Sequence, residues 1–199
     1  MVANSAHEDR QLVEQALAGS QRACYALVER YERPVFSIIL RMVRDRALAE
    51  DLAQETFVKA FRSLASYDRR RKLSSWLFTI AHNTTIDHLR RKRLATVPLE
   101  VEGDEMSPVD RAAAPAAEGP ERVALRADLL RAFEAALTEL RPDHAEVLVL
   151  RFQEGMAYDE IAEIMGLPLG TVKTHLHRAR KALAARLQEL GVYRPGDPR

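Results

Sequence analysis

A chain of 199 residues, 47% hydrophobic and 30% charged with a formal net charge of +1, can bury one or two small cores and is not an intrinsically disordered tail. No uninterrupted apolar run approaches the roughly 18 to 20 residues of a bilayer crossing, and the start Met1-Val2-Ala3-Asn4-Ser5 lacks the basic and apolar regions of a signal peptide, so the sequence predicts no membrane insertion and a cytoplasmic location. The single Cys24 permits no internal disulfide, fits a reducing compartment, and falls in an apolar helical pattern that predicts a buried free thiol.

In chain order, apolar periodicity predicts helices near 8 to 18, 20 to 32, 34 to 44, 46 to 64 and 74 to 92, with no alternating strand pattern between them. The fourth is the clearest: Ala49, Leu52, Ala53, Thr56, Phe57, Ala60, Phe61 and Leu64 recur at i, i+3, i+4 and i+7. Its other side presents Glu50, Asp51, Gln54, Glu55 and Arg62. A polar loop, Ser66 to Lys72 with Tyr67 and Arg71, leads into a helix that Ser74 would cap and that holds the only tryptophan, Trp76. The stripe Trp76, Ile80, Asn83, Asp87, Arg90 starts apolar and turns polar, then basic, which suits a helix anchored at one end and exposed to nucleic acid at the other, with Arg90, Arg91, Lys92 and Arg93 placed for phosphates. From Arg62 to Arg93 nine cations stand against two acids. Each residue alone has a plainer reading: Trp76 as core, Asp87 pairing with Arg90 or Arg91, the basic end as a solvated terminus.

From about 95 to 120 periodicity stops and four prolines appear, and from Ala95 to Glu121 seven acids face one arginine, as in a flexible acidic linker. Helical periodicity returns with Leu129, Phe133, Ala136, Leu137 and Leu140, breaks at Pro142, and resumes with Val147, Leu148 and Leu150. Two short helical patterns then meet at Gly166-Leu167-Pro168, the pattern of a helix-turn-helix DNA reader. Ile161, Ala162 and Met165 supply the buried side of the first, Gly166 the left-handed residue that ends it, and Val172, Leu176, Ala179 and Leu183 the buried side of the second. The remaining face carries Lys173, Thr174, His177, Arg178 and Lys181, a basic stripe suited to the major groove. The expected architecture is all-α: an N-terminal helical bundle at 1–94, a linker at 95–120 and a C-terminal helix-turn-helix domain at 121–199.

Two blocks, Asp51-Leu52-Ala53-Gln54-Glu55-Thr56-Phe57 followed by Trp76-Leu77-Phe78-Thr79-Ile80-Ala81-His82-Asn83, and the stretch Tyr158 to Arg180, give the chain a resemblance to bacterial RNA polymerase sigma factors of the extracytoplasmic-function class. The resemblance implies that Asp51, Gln54 and Glu55 dock on the clamp helices of the largest polymerase subunit. It implies that Tyr67, Arg71, Trp76, Asn83, Asp87, Arg90 and Arg91 bind the minus-10 element, capturing an unstacked non-template base. The C-terminal domain would read the minus-35 duplex through Lys173, Thr174, His177, Arg178 and Lys181 and touch the polymerase flap, and an anti-sigma factor would control the whole. Leu73 stands where the family commonly has an aromatic, and Lys173 and His177 are at positions that vary with promoter sequence.

Opening DNA means unstacking bases at a few kcal/mol each, and stacking on an aromatic returns about 1 to 3 kcal/mol per base. Tyr67 and Trp76, with Phe78, are the aromatics near the second basic block, which favours capture of one or two bases by a protein already held on polymerase. A stand-alone regulator with a similar C-terminal domain would carry a mixed α/β receiver or ligand domain, and the N-terminal half shows neither strands nor a ligand signature. For an enzyme, there is no Gly-rich phosphate loop, CxxC pair, HExxH site or nucleophile elbow, and His175 and His177 point apart on one helix while His82 and His88 lack ligands at metal spacing. The sequence therefore predicts no catalytic residues, metal or cofactor.

Overall fold

The computed structural model describes residues 2–95 and 120–192. Helices α1 (Val2–Leu17), α2 (Gln21–Val43), α3 (Arg46–Ser63) and α4 (Leu73–Ala95) form a first group; α5 (Pro120–Glu139), α6 (Pro142–Leu148), α7 (Tyr158–Met165) and α8 (Leu169–Glu189) form a second, and the described residues hold no strand. Most of the expected linker, 96–119, lies outside the described residues, as does the Arg93 side chain.

The caps follow from local sequence. Ser20 accepts from the Ala23 amide at 3.3 Å to start α2, and Asp45 accepts from the Leu48 amide at 3.0 Å to start α3, each supplying a partner to an otherwise orphaned amide. Between them Arg44 takes the left-handed conformation (φ 57°) and returns its N–H to the Leu40 carbonyl. Two expectations are corrected. The helices predicted at 20–32 and 34–44 are one 23-residue helix with Pro34 inside it. An interior proline costs about 3 kcal/mol, but Val35, Ile38 and Ile39 beside it are fully buried, and each such side chain contributes roughly 1.5 to 3 kcal/mol. Burial outweighs the break. Likewise α4 begins at Leu73, and the Trp76 amide bonds to the Lys72 carbonyl at 3.3 Å, so Ser74 lies inside the first turn and does not cap it. Cys24 is half-buried, not buried.

In the first group, α3 and α4 pack on α2, with Leu52, Phe78 and Ala81 at the centre. Helix α1 is tied to α2 by polar contacts: Arg30 bridges Glu8 and Asp9 at 2.7 Å each, and the Tyr31 hydroxyl donates to Asp9 at 2.5 Å. In the second group Ile161 and Ile164 of α7 meet Val172, Leu176 and Ala179 of α8 over Val147 and Leu150. A five-residue π-helical stretch, Val149–Gln153, extends α6. The two groups pack against each other: α2 meets α6, α4 meets α7, and one apolar core runs through both.

Candidate nucleic-acid interfaces

The loop before α4 is folded by its own side chains. Asp68 accepts from the Arg70 amide at 3.0 Å and from the Arg70 guanidinium, and that guanidinium holds the Asp68 carboxyl below its ordinary value. The Tyr67 hydroxyl donates to the Arg71 carbonyl at 2.5 Å, closing the loop on itself. Tyr67 is buried, its ring 5.2 Å from that of Trp76. The two aromatics assigned to base capture thus lie together, with Trp76 half-buried and reachable and Tyr67 shaping the loop from beneath.

Along α4 exposure follows the predicted stripe. Trp76 and Ile80 are half-buried, and Asn83, Asp87, Arg90 and Arg91 are exposed. Asp87 pairs with Arg90 at 3.6 Å, and Arg91 Nε donates to the Asp87 carbonyl at 3.2 Å. The plainer pairing reading of Asp87 is realised, and the pair sits on the exposed surface. Ile86, 43% exposed, shares this face at i+3 from Asn83; the sequence pattern did not single it out, because an isolated isoleucine on a polar face has no period of its own.

The helix-turn-helix follows its pattern closely. Gly166 ends α7 with φ 62° and ψ 32°, and Lys173, Thr174, His177, Arg178 and Lys181 are all exposed on α8 opposite buried Val172, Leu176 and Ala179. Thr174 donates to the Gly170 carbonyl at 2.9 Å. His175 turns away from His177 towards α6, where Asp143 lies 3.8 Å off and the His144 ring 5.6 Å off. Burial keeps the His144 imidazole below its ordinary value. No group of three metal-ligating side chains forms among the described residues.

On α3, Asp51 and Gln54 are exposed and Glu55 is half-exposed, paired with Lys59 at 2.8 Å. That hydrogen bond lowers the Glu55 carboxyl below its ordinary value. Gln54 borders an open groove between α2 and α3 lined by Arg33, Phe36, Arg46, Glu50 and Phe57, with Arg46 over the Phe36 ring at 5.6 Å. Of the three, Gln54 lines this concave surface.

A further set of polar contacts joins the two helical groups. Arg71 pairs with Glu163 of α7, Lys72 lies 3.0 Å from Glu160, and Ser75 donates to Glu160 at 3.0 Å. Glu160 also accepts from the Ala157 amide at 2.8 Å, capping its own helix. Burial pushes the Glu160 carboxyl up, but the Ala157 amide, Lys72 and Ser75 outweigh it and hold the carboxyl below its ordinary value. Deeper in, His82 Nδ1 lies 2.7 Å from Glu146 Oε1, both residues buried. Arg41 is buried and pairs with Glu134, while its Nε and Nη1 have no hydrogen-bond partner. Nothing in the sequence pattern marks this set: each member is a single polar residue on the edge of an amphipathic helix, and period alone does not reveal which helix an edge will face.

Two family patterns match the chain, sigma-70 region 2 over residues 27–95 and sigma-70 region 4 over residues 130–183. The chain is 36% identical over 185 residues to the RNA polymerase sigma-H factor of Pseudomonas aeruginosa, spanning 92% of this chain and 95% of that one. It is 33% identical over 179 residues to the ECF RNA polymerase sigma factor SigW of Bacillus subtilis, spanning 89% and 96%. Among solved structures it is similar to CnrH in complex with the cytosolic domain of CnrY, with TM-score 0.60 and 28% identity over 92% of this chain and 98% of that one. It is also similar to the sigma factor RpoE in complex with the anti-sigma factor NepR from Bartonella quintana, with TM-score 0.61 and 25% identity over 82% and 96%.

Proposed function

Because the chain belongs to the extracytoplasmic-function class of sigma-70 transcription initiation factors, we propose that residues 1–94 dock on core RNA polymerase and open the minus-10 element, and that residues 121–199 read the minus-35 duplex. The observation that carries this division is the difference between the two exposed faces. On α4 a half-buried Trp76 gives way to exposed Asn83, Asp87, Arg90 and Arg91 beside a folded basic loop, a surface suited to holding an unstacked strand. On α8 five exposed polar and basic side chains line one side of a straight rod, which a major groove accepts. Asp51, Gln54 and Glu55 face the polymerase clamp helices, and the second group reaches the flap. The chain acts in the cytoplasm, without catalytic chemistry or a cofactor of its own.

The similarity to CnrH solved with the cytosolic domain of CnrY, and to the sigma factor RpoE solved with the anti-sigma factor NepR, supports control of this chain by an anti-sigma factor. In-vitro transcription with purified core polymerase and a promoter library tests the reading: initiation should require both proteins and select one pair of elements. Initiation independent of this chain would sink it. Charge reversal of Asp51 and Glu55 to Lys should reduce capture of core polymerase while leaving the helical content unchanged.

A further inference from the structure

A cluster of titratable side chains lies at the edge of the α8 reader face. The His144 ring, in the first turn of α6, meets the His175 ring of α8 edge-on at 5.6 Å. Asp143 Oδ2 lies 3.8 Å from His175 Nδ1, too far for a hydrogen bond, and that buried nitrogen has no hydrogen-bond partner among the described residues. Arg141 holds the same carboxylate at 3.3 Å. Burial lowers the His144 imidazole, Asp143 opposes the lowering, and His175, Arg141 and Arg178 add to it. From the other helices packed here, Arg44 of α2 reaches the Leu140 carbonyl just ahead of the cluster. Arg41 of α2 goes to Glu134, His82 of α4 to Glu146, and Glu139 of α5 to Arg186 further along α8.

We propose that Arg141, His144 and His175 form, beside Arg178, a seat for a backbone phosphate at the rim of the duplex read by α8, and that filling this seat takes up a proton. This rests on the reading of α8 as the minus-35 reader. A helix about 10 to 12 Å across with its side chains fills a major groove about 12 Å wide, so whatever flanks α8 meets the phosphates along the groove edge. Exposed Arg178 on the reader face and exposed Arg141 at the start of α6 both act on His144, which puts the cluster on that flank. A phosphate at Arg141 offsets the positive field on the two imidazoles and favours their charged forms. Both ring nitrogens of an imidazolium donate, so His175 Nδ1 gains Asp143 as its acceptor while Arg141 turns from that carboxylate to the phosphate. The proton comes from solvent, and by reciprocity a duplex that raises proton affinity is itself bound more tightly as pH falls.

The test uses the full-length chain assembled with core polymerase and a fluorescent duplex carrying only the minus-35 element that the promoter library selects. Affinity is titrated at fixed salt from about pH 8 to about pH 6, the span in which an imidazole changes charge. One proton taken up changes affinity by up to about tenfold per pH unit, and the unaltered chain should gain at least about fivefold over the span. His144→Gln combined with His175→Gln should hold the gain under about twofold, since neither replacement titrates. His177→Gln, which removes the exposed histidine of the reader face, should keep the gain whatever its affinity. Retained preference for the element over a scrambled duplex shows that the double variant's helix-turn-helix is folded. A second arm needs no variant: replacing the phosphates of the element one at a time by neutral methylphosphonate should remove the gain at a position on the groove edge. A gain that survives either the double variant or every methylphosphonate overturns the seat, as does an unaltered chain with no gain. A duplex bound no better than its scrambled counterpart overturns the minus-35 reading itself, and the seat with it.

Discussion

At the scale of single residues, Asn83 and Arg178 are both exposed polar side chains on helices, and they should fail differently. Asn83→Ala should lower transcription from a duplex promoter much more than from one already mismatched across the minus-10 region, since pre-opened DNA removes the unstacking cost the residue is proposed to offset. Arg178→Ala should impair both templates alike. If Arg178 reads a base, its loss should cost about 1 to 3 kcal/mol and relax preference at one position; uniform weakening with a shallower salt slope in binding titrations would make it a phosphate contact. Equal rescue of the two variants by the mismatched template would show the roles to be misassigned. Residue types made these positions legible, since an arginine opposite a buried Val172, Leu176, Ala179 stripe has only solvent or a partner to face. Tyr67 shows the limit. An aromatic in a basic loop reads as a base-stacker, yet its hydroxyl finds the Arg71 carbonyl four residues on and its ring is buried, a closure that depends on loop conformation and leaves no periodic trace.

At the scale of elements, the turn between α7 and α8 makes a paired prediction. Gly166 has φ 62° and Gly170 sits inside α8, and an added Cβ would meet nothing within 4 Å at either. Space is therefore equal and backbone conformation decides. Gly166→Ala should destabilise by about 1 to 2 kcal/mol, the strain of a non-glycine residue in the left-handed region, while Gly170→Ala should be neutral or stabilise by up to about 1 kcal/mol. Thermal denaturation of the two variants checks the opposite signs. The Gly and Pro punctuation of this turn was readable because it states a backbone requirement directly. Pro34 falls between the two predicted helices for the complementary reason: a proline's local penalty is visible in sequence, whereas the burial of Val35, Ile38 and Ile39 that overrides it depends on α3 and α4 arriving from elsewhere in the chain.

At the scale of the whole molecule, the two helical groups were legible and their docking was not, since an amphipathic stripe announces a buried face without naming the neighbour that buries it. Acid should reveal the docking. The Glu160 carboxyl, facing Lys72, Ser75 and the Ala157 amide, is held below its ordinary value of 4.5, so its contribution is complete above that value and is lost as pH falls through the depressed one. The stability difference between the unaltered chain and Glu160→Gln, measured by denaturant unfolding, should therefore shrink as pH is lowered below about 4.5. A difference that stays constant to pH 3 would mean the carboxylate contributes nothing through its charge. The contact of α4 with α7 also has a quantitative meaning for competition among initiation factors. A partner that accepts only the parted form binds with an apparent dissociation constant equal to the intrinsic one divided by the parted fraction, so a chain about 1% parted binds about 100-fold more weakly than one fully parted. For such a partner, each change of about 1.4 kcal/mol in the docking of α7 shifts the apparent affinity about tenfold. The acidic edge of α7 would thus tune how readily the two groups part, while the exposed faces of α4 and α8 stay as they are.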